Sequence, residues 1–368
     1  PLRSVAVWLA SRPQMAKRRA VVVGAGVSGL TCAKELCSRG WEVSLVAQHD
    51  PLDKETCSQG AGGLWMPFHV EPALECAEWA RQTLDVLLQE KSSGSERAEF
   101  IEVLPCLVLK TAPTPASELP PWAGIPELGF EVLSREELAR KKPGVAVPAA
   151  FWGGWSFETP VINVRPYLSS LLSELRAAGV AVTFGERFAN LAEAVGSGER
   201  HLSGSAHAVV NCTGLGADVV SPHADTMTPG RGVVMIMERP ADVNAVLLCE
   251  SAPFTERSPA YAIPRGPHHV TVGGTYLEGD WRKEPTEEEL SDVLRKAAFL
   301  YPSLADAKVV ETWVGHRPVR HAGVRLGAEL LDLPGGPAPR KVAVAHNYGH
   351  GGSGWTINYG CATATVDA

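Results

Sequence analysis

The chain has 368 residues, 45% hydrophobic and 20% charged, with a formal net charge of −7. That length suits one large α/β domain or two domains, and the negative balance excludes nucleic acid as the main partner. No apolar run reaches membrane-spanning length, and eight scattered cysteines without a CxxC pair exclude a disulfide framework or a zinc site. Reduced, mostly buried thiols in an intracellular protein are expected instead.

Residues 1–17 contain no acid and include Arg3, Arg12 and Lys17. They read as a disordered or non-native leader, with Met15 the expected start, although a targeting segment has the same composition. Ala20 to Val23 then reads as a buried parallel strand. It runs into Gly24-x-Gly26-x-x-Gly29, and a helical pattern follows at Leu30, Ala33, Leu36 and Cys37. This is the strand–turn–helix of a dinucleotide-binding unit. Gly24 permits the turn, Gly26 admits a pyrophosphate and Gly29 lets helix and strand pack. The free N–H groups at the helix start then face the phosphates.

Glu42 to Ala47 is the second parallel strand. Gln48 follows, where an acid usually meets the ribose. The run Ser58 to Phe68, rich in glycine yet carrying Trp65 and Phe68, reads as backbone pressed against a flat ligand. Glu71 to Glu90 has helical spacing, with Leu74, Ala77, Ala80, Leu84, Leu87 and Leu88 on one face. Glu99 to Lys110 turns to strand, and Pro-rich, irregular sequence to Ala150 reads as an insertion capping the core.

Trp152 to Pro160 precedes a helix, Arg165 to Ala178. Ala181 to Phe184 and Ala208 to Asn211 are further strands, the second ending at Thr213-Gly214 beside the nucleotide. Four short runs, Val233–Met237, Ala245–Cys249, Ala260–Pro264 and His269–Gly274, predict an antiparallel sheet. Thr286-Glu287-Glu288-Glu289 is a capping box. The helix it opens turns Leu290, Val293, Leu294 and Ala297 inward. Val309 to Val314 is a strand leading to Gly315-His316-Arg317-Pro318-Val319-Arg320. Val342 to Ala345 is the last parallel strand, and His346 to Thr356 is a glycine-rich loop opening a C-terminal helix. Two anion-friendly helix starts could hold opposite ends of one long cofactor.

These segments are specific enough to mark a family. Gly24 to Gly29, Ala61 to Trp65, Val210 to Gly214, Pro229 to Gly232, Val272 to Thr275, Arg317 to Arg320 and Asn347 to Gly352 resemble, in order, motifs of the D-amino acid oxidases. The resemblance spans about nine-tenths of the chain. It implies an α/β fold: a Rossmann-like FAD-binding domain with a parallel sheet (18–70, 155–230 and 310–368) and a substrate domain on a mainly antiparallel sheet (71–154 and 231–309). It implies oxidative deamination of D-amino acids by hydride transfer to flavin N5, with O2 as acceptor and hydrogen peroxide as product.

By that resemblance Arg317 clamps the substrate carboxylate. Tyr261 donates to the same carboxylate, and the Gly352 carbonyl accepts from the amine. FAD would be held by Gly24, Gly26, Val27, Ser28, Gly29 and Gln48, by Gly62, Gly63 and Leu64, by Phe188, Thr213 and Gly214, and by Gly349, Gly351, Gly352, Ser353, Gly354, Trp355 and Thr356. His346 and His350 read as structural residues, and no metal is expected. Arg257 stands where animal members carry a second tyrosine, and would draw an acidic side chain if it pointed inward. Tyr276 stands where D-aspartate oxidases carry arginine, and Met66 makes the wall more apolar, so neutral substrates are favoured over D-aspartate, with glycine or sarcosine oxidation the remaining alternative. The family implies a possible homodimer and often a peroxisomal location, though this chain ends Val366-Asp367-Ala368; a cytoplasmic location is the alternative.

Overall fold

The structure, a computed structural model, describes residues 17–68, 70–141, 147–220, 226–250, 253–255, 257–333 and 340–368. The expected leader, Lys17 apart, lies outside these. Among the described residues fifteen strands, numbered in chain order, form two sheets. The first contains β1 (Arg19–Val23), β2 (Glu42–Ala47), β6 (Ala181–Phe184), β7 (Ala208–Asn211), β14 (Arg325–Leu333) and β15 (Arg340–Tyr348). Their spatial order is β14-β15-β7-β1-β2-β6. All pair in parallel except β14, which runs antiparallel to β15.

The five longest helices are α1 (Val27–Ser38), α2 (Ala73–Ser92), α3 (Val164–Ala177), α4 (Glu287–Leu300) and α5 (Gly354–Asp367). The middle of β1 is apolar on both faces because both are covered. Ala20 and Val22 join the core formed with α1, α3 and α5, while Val21 and Val23 pack on the helix Leu191–Glu199. In α3 the residues Tyr167, Leu168, Leu171, Leu172 and Leu175 are buried, as the helical period predicts.

The second sheet holds β3 (Ile101–Lys110), β4 (Glu131–Ser134), β5 (Gly153–Ile162), β8 (Met227–Glu238), β9 (Val246–Cys249), β10 (Ala260–Arg265), β11 (His269–Gly273), β12 (Leu277–Glu278) and β13 (Val309–Arg320). The order is β12-β8-β11-β10-β9-β3-β5-β4, with β13 alongside β8. It is antiparallel apart from the β3–β9 pair. Helix α4 begins with the predicted capping box and buries Val293 and Ala297. The fold is thus the expected α/β combination of a parallel and a mainly antiparallel sheet.

Several elements differ from the sequence reading. Within the stretch expected to be irregular, β4 and the helix Arg135–Lys141 are regular, and β3, β4 and β5 build one edge of the second sheet. Strand β5 covers most of Trp152–Pro160, a stretch to which residue pattern assigns no element. Its glycines pack against backbone: a Cβ on Gly154 would lie 2.1 Å from the Val108 carbonyl oxygen. Its Pro160 lies beyond the residues paired with β4, where residues 63–65 run alongside: the Trp65 N–H donates to the Pro160 carbonyl, and the Thr159 hydroxyl donates to the Trp65 carbonyl beside the proline, which has no N–H to give. The strand expected at Val309 to Val314 runs on through Arg317, so that β13 pairs with β8 as far as Arg320–Met227. The register of that pair shifts by one residue between Val309 and Glu311, the mark of a β-bulge. Leu74 and Leu294, expected inward, are exposed. The division expected at residues 155, 231 and 310 falls inside β5, β8 and β13, because a strand's pairing partner decides its sheet.

Candidate active site

A cavity of about 1330 Å³, open mouth included, is bounded by the start of α1, the loop 57–68, the start of α5 and one face of the second sheet.

Its sheet wall follows from strand register. Leu248, Tyr261, Gly273, Val234 and Trp313 pair across β9, β10, β11, β8 and β13 and share one face. Four of them line the cavity, and Gly273 provides clearance: a Cβ there would lie 2.4 Å from the Tyr261 hydroxyl. Arg317 lies across Gly232 in the same way, with a Cβ there 2.4 Å from its Nη1. That nitrogen donates to the carbonyls of Gly230 and Thr275, each at 3.3 Å, and the guanidinium lies 5.4 Å from the Tyr276 ring centroid. Carbonyls and a ring face hold the guanidinium without neutralising it, which leaves its charge for an anion. Burial raises the Tyr261 phenol above its usual range, although Arg317 acts against the shift. The phenol therefore stays protonated and able to donate at neutral pH. Burial also pushes Cys57, on the facing wall, up to about 11, so it is no thiolate nucleophile.

The opposite wall is built from helix starts. Helix α1 is capped by Gly26 and α5 by Ser353, neither with a side-chain cap bond, and neither has an acid in its first turn. The Val27 N–H donates to Ser58 Oγ. Ser353 Oγ accepts from the Phe68 N–H and donates to its carbonyl, and Trp355 Nε1 donates to the Ser58 carbonyl. Loop 57–68 is thereby tied to both helix starts. Gly62, Gly63, Leu64, Gly351, Gly352, Gly354 and Thr356 line the cavity beside it, with Val27 and Ser28. Two positive helix ends on one cavity fit a cofactor with anionic groups.

Other predicted residues lie outside the wall. Gly24 lies in the turn before α1, Gly26 is the helix cap, and Gly29 in its first turn packs on the Gly24 carbonyl. Gln48 is exposed at the end of β2, where its carbonyl accepts from Gly185 N–H, and Phe188 lies farther along that loop. Thr213 bonds Asn211, and Gly214 approaches Pro318, a wall residue. Gly349 packs on Arg320. Arg257 is exposed and does not line the cavity. His346 bonds Glu329 and Asn211 away from the wall. His350 lines the cavity, bonded to Asn347 at 2.7 Å, and burial lowers it to about 4, so the imidazole is neutral. Sequence reasoning missed Trp313 and Glu250 in the wall. Glu250 had a signal: it lies two residues beyond Leu248, on the same alternation. Among the described residues no cluster could hold a metal ion, and no helix is long and apolar enough to cross a membrane.

A Rossmann-type sheet facing a substrate-sized recess across one cavity defines a dinucleotide-cofactor enzyme. Residues 19–368 match the FAD dependent oxidoreductase family. The chain is 35% identical to the D-amino-acid oxidase of Rubrobacter xylanophilus, covering 94% of this chain and 93% of that one. It is 30% identical to human D-aspartate oxidase over 94% and 92%. The crystal structure of glycine oxidase from Geobacillus kaustophilus has the same fold, with a TM-score of 0.73 over 95% and 94% of the two chains at 18% identity. The chain belongs to the D-amino-acid oxidase family and is an FAD-dependent oxidoreductase.

Proposed function

We propose that this enzyme deaminates D-amino acids oxidatively, neutral side chains ahead of acidic ones, yielding 2-oxo acids, ammonia and hydrogen peroxide. The observation that carries this reading is the pairing, across one cavity, of Arg317 and Tyr261 with the Gly352 backbone. Relatives named for D-amino acids support it.

Arg317 and the Tyr261 hydroxyl bind the α-carboxylate, and the Gly352 carbonyl accepts from the amine. Three fixed contacts leave one orientation for the Cα–H bond, which is how the site selects handedness. FAD, when bound, would supply the two-electron acceptor and the route to O2. The α1 start (Val27 to Gly29), the loop Gly62 to Leu64 and the segment Gly351 to Thr356 would hold it. Gln48, Phe188, Thr213 and Gly214 serve its nucleotide half, at the carboxyl edge of the parallel sheet. Met66, Phe68 and Val234 make part of the cavity wall apolar. The arginine that could draw an acidic side chain, Arg257, is exposed.

Anaerobic titration with D-alanine, L-alanine, glycine and D-aspartate, followed by flavin absorbance, tests the proposal. D-Alanine should bleach the flavin at the lowest concentration and L-alanine not at all. Bleaching by L-alanine, or first by D-aspartate or glycine, overturns it.

A further inference from the structure

Tyr261 and Arg317 rest on one short segment at the end of β11. The Tyr261 hydroxyl fills the space over Gly273 and Gly274, where a Cβ would lie 2.4 and 2.8 Å from it. The next carbonyl, that of Thr275, accepts from Arg317 Nη1, and the Tyr276 ring lies against the guanidinium. Room for the phenol thus demands two consecutive glycines, the residues that restrain a backbone least. They stand directly before the carbonyl that must hold the arginine still, so the segment needs a restraint from outside itself.

Helix α4 supplies one from the opposite face of the sheet, where Val293 and Ala297 pack among Val233, Ala262 and Val272. Lys296 on this helix is fully buried and does not line the cavity. Its Nζ donates to the Gly274 carbonyl and to Ser258 Oγ, each at 2.7 Å, and pairs with Asp292 Oδ2 at 2.7 Å. All three ammonium donors are used. The Gly274 N–H donates to the Pro259 carbonyl, so both backbone polar groups of this glycine are held. A charged donor grips a carbonyl more firmly than a neutral one, and Asp292 supplies the counter-charge that lets the ammonium be buried.

We propose that Lys296 is a positioning residue for substrate binding: from outside the cavity it fixes the Gly274 carbonyl, hence the peptide plane that leads into Thr275, and so holds Arg317 in line for the α-carboxylate. This rests on the carboxylate clamp of the functional reading above.

The test measures KM and kcat of the FAD-loaded enzyme for D-alanine, together with the competitive inhibition constant of propanoate, which is D-alanine without its amine. Lys296→Met should raise KM and the propanoate constant tenfold or more while kcat changes less than threefold. Because this substitution strands the Asp292 carboxylate, the double variant Asp292→Asn/Lys296→Met is made beside it. Removing both charges should give the same shift in KM with a higher melting temperature than Lys296→Met alone. On an Arg317→Ala background, Lys296→Met should change the propanoate constant less than threefold, since the group it positions is gone. A lysine that only supports the fold would lower the melting temperature and leave the propanoate constant of the flavin-bound double variant unchanged. That result overturns the proposal, as does an equal rise on the Arg317→Ala background, or loss of flavin binding in both Lys296 variants. A wild type that does not oxidise D-alanine overturns the functional reading itself, and this inference falls with it.

Discussion

Two glycine-rich loops open helices onto the same cavity, and their glycines answer to different neighbours. In the first, Gly24 to Gly29, the protein itself requires them. A Cβ on Gly29 would lie 1.9 Å from the Gly24 carbonyl oxygen, and one on Gly24 would lie 2.4 Å from that of Cys212. In the second, the nearest atom to a Cβ on Gly352 is 3.6 Å away, and on Gly354 3.9 Å. Nothing in the chain excludes a methyl there. The first loop is shaped by the fold; in the second, Gly349 answers to the fold as well, with a φ of +88° and Arg320 packed on it, while Gly352 and Gly354 answer to what the cavity receives.

The largest expected effect tests the first half of this contrast. Gly29→Ala forces backbone apart in a packed turn, and should cost more than about 3 kcal/mol. Thermal unfolding followed by circular dichroism should show the loss, or no soluble protein should form. A normally stable variant would mean that the turn yields.

Arg317→Ala probes the cavity side. Losing a charged clamp should lower kcat/KM for D-alanine about 100-fold or more, equivalent to about 3 kcal/mol. Flavin absorbance and melting temperature should hold. Equal loss of FAD would place Arg317 with the folding residues.

His350 belongs to the second loop but is packed like the first. Its folded value near 4 lies below the unfolded value of about 6.5. The unfolded chain therefore binds more protons between those values, and stability falls as pH drops through that window. At pH 5 the loss should be about 2 kcal/mol. His350→Gln, which keeps a donor for Asn347, should flatten the melting-temperature profile between pH 6.5 and 4. An unchanged profile would assign the acid sensitivity elsewhere.

The smallest effect is the sharpest in sign. Gly354 is the first residue of α5 and has no left-handed backbone angle. Gly354→Ala should stabilise the FAD-free protein by about 0.5–1 kcal/mol while weakening FAD binding. Melting with and without FAD would reveal both changes, and a variant that loses stability without FAD contradicts the contrast drawn here.

The same contrast governs what was legible in the sequence. Spacing rules describe a chain's demands on itself, so β1, α1, β2 and the capping box of α4 could be located from residue pattern. Strand β5 could not, since Gly153, Gly154 and Pro160 carry loop chemistry and become strand only through β3 and β4. The placement of Arg317 in a strand and of Glu250 in the wall depends on register, which one sequence does not contain. Leu74 and Leu294 show the reverse error: a helical stripe extends past the edge of what covers it.

The bulge at the start of β13 has a further consequence for how this chain tolerates changes in length. Beyond it, ten consecutive residue pairs from Glu311 to Arg320 lock β13 to β8. A residue gained or lost before Glu311 can be taken up at the bulge, leaving the arginine where it stands. The same change between Glu311 and Arg317 would invert the strand's faces and turn the guanidinium to the other side of the sheet. Homologous chains should therefore vary in length ahead of this point and not after it.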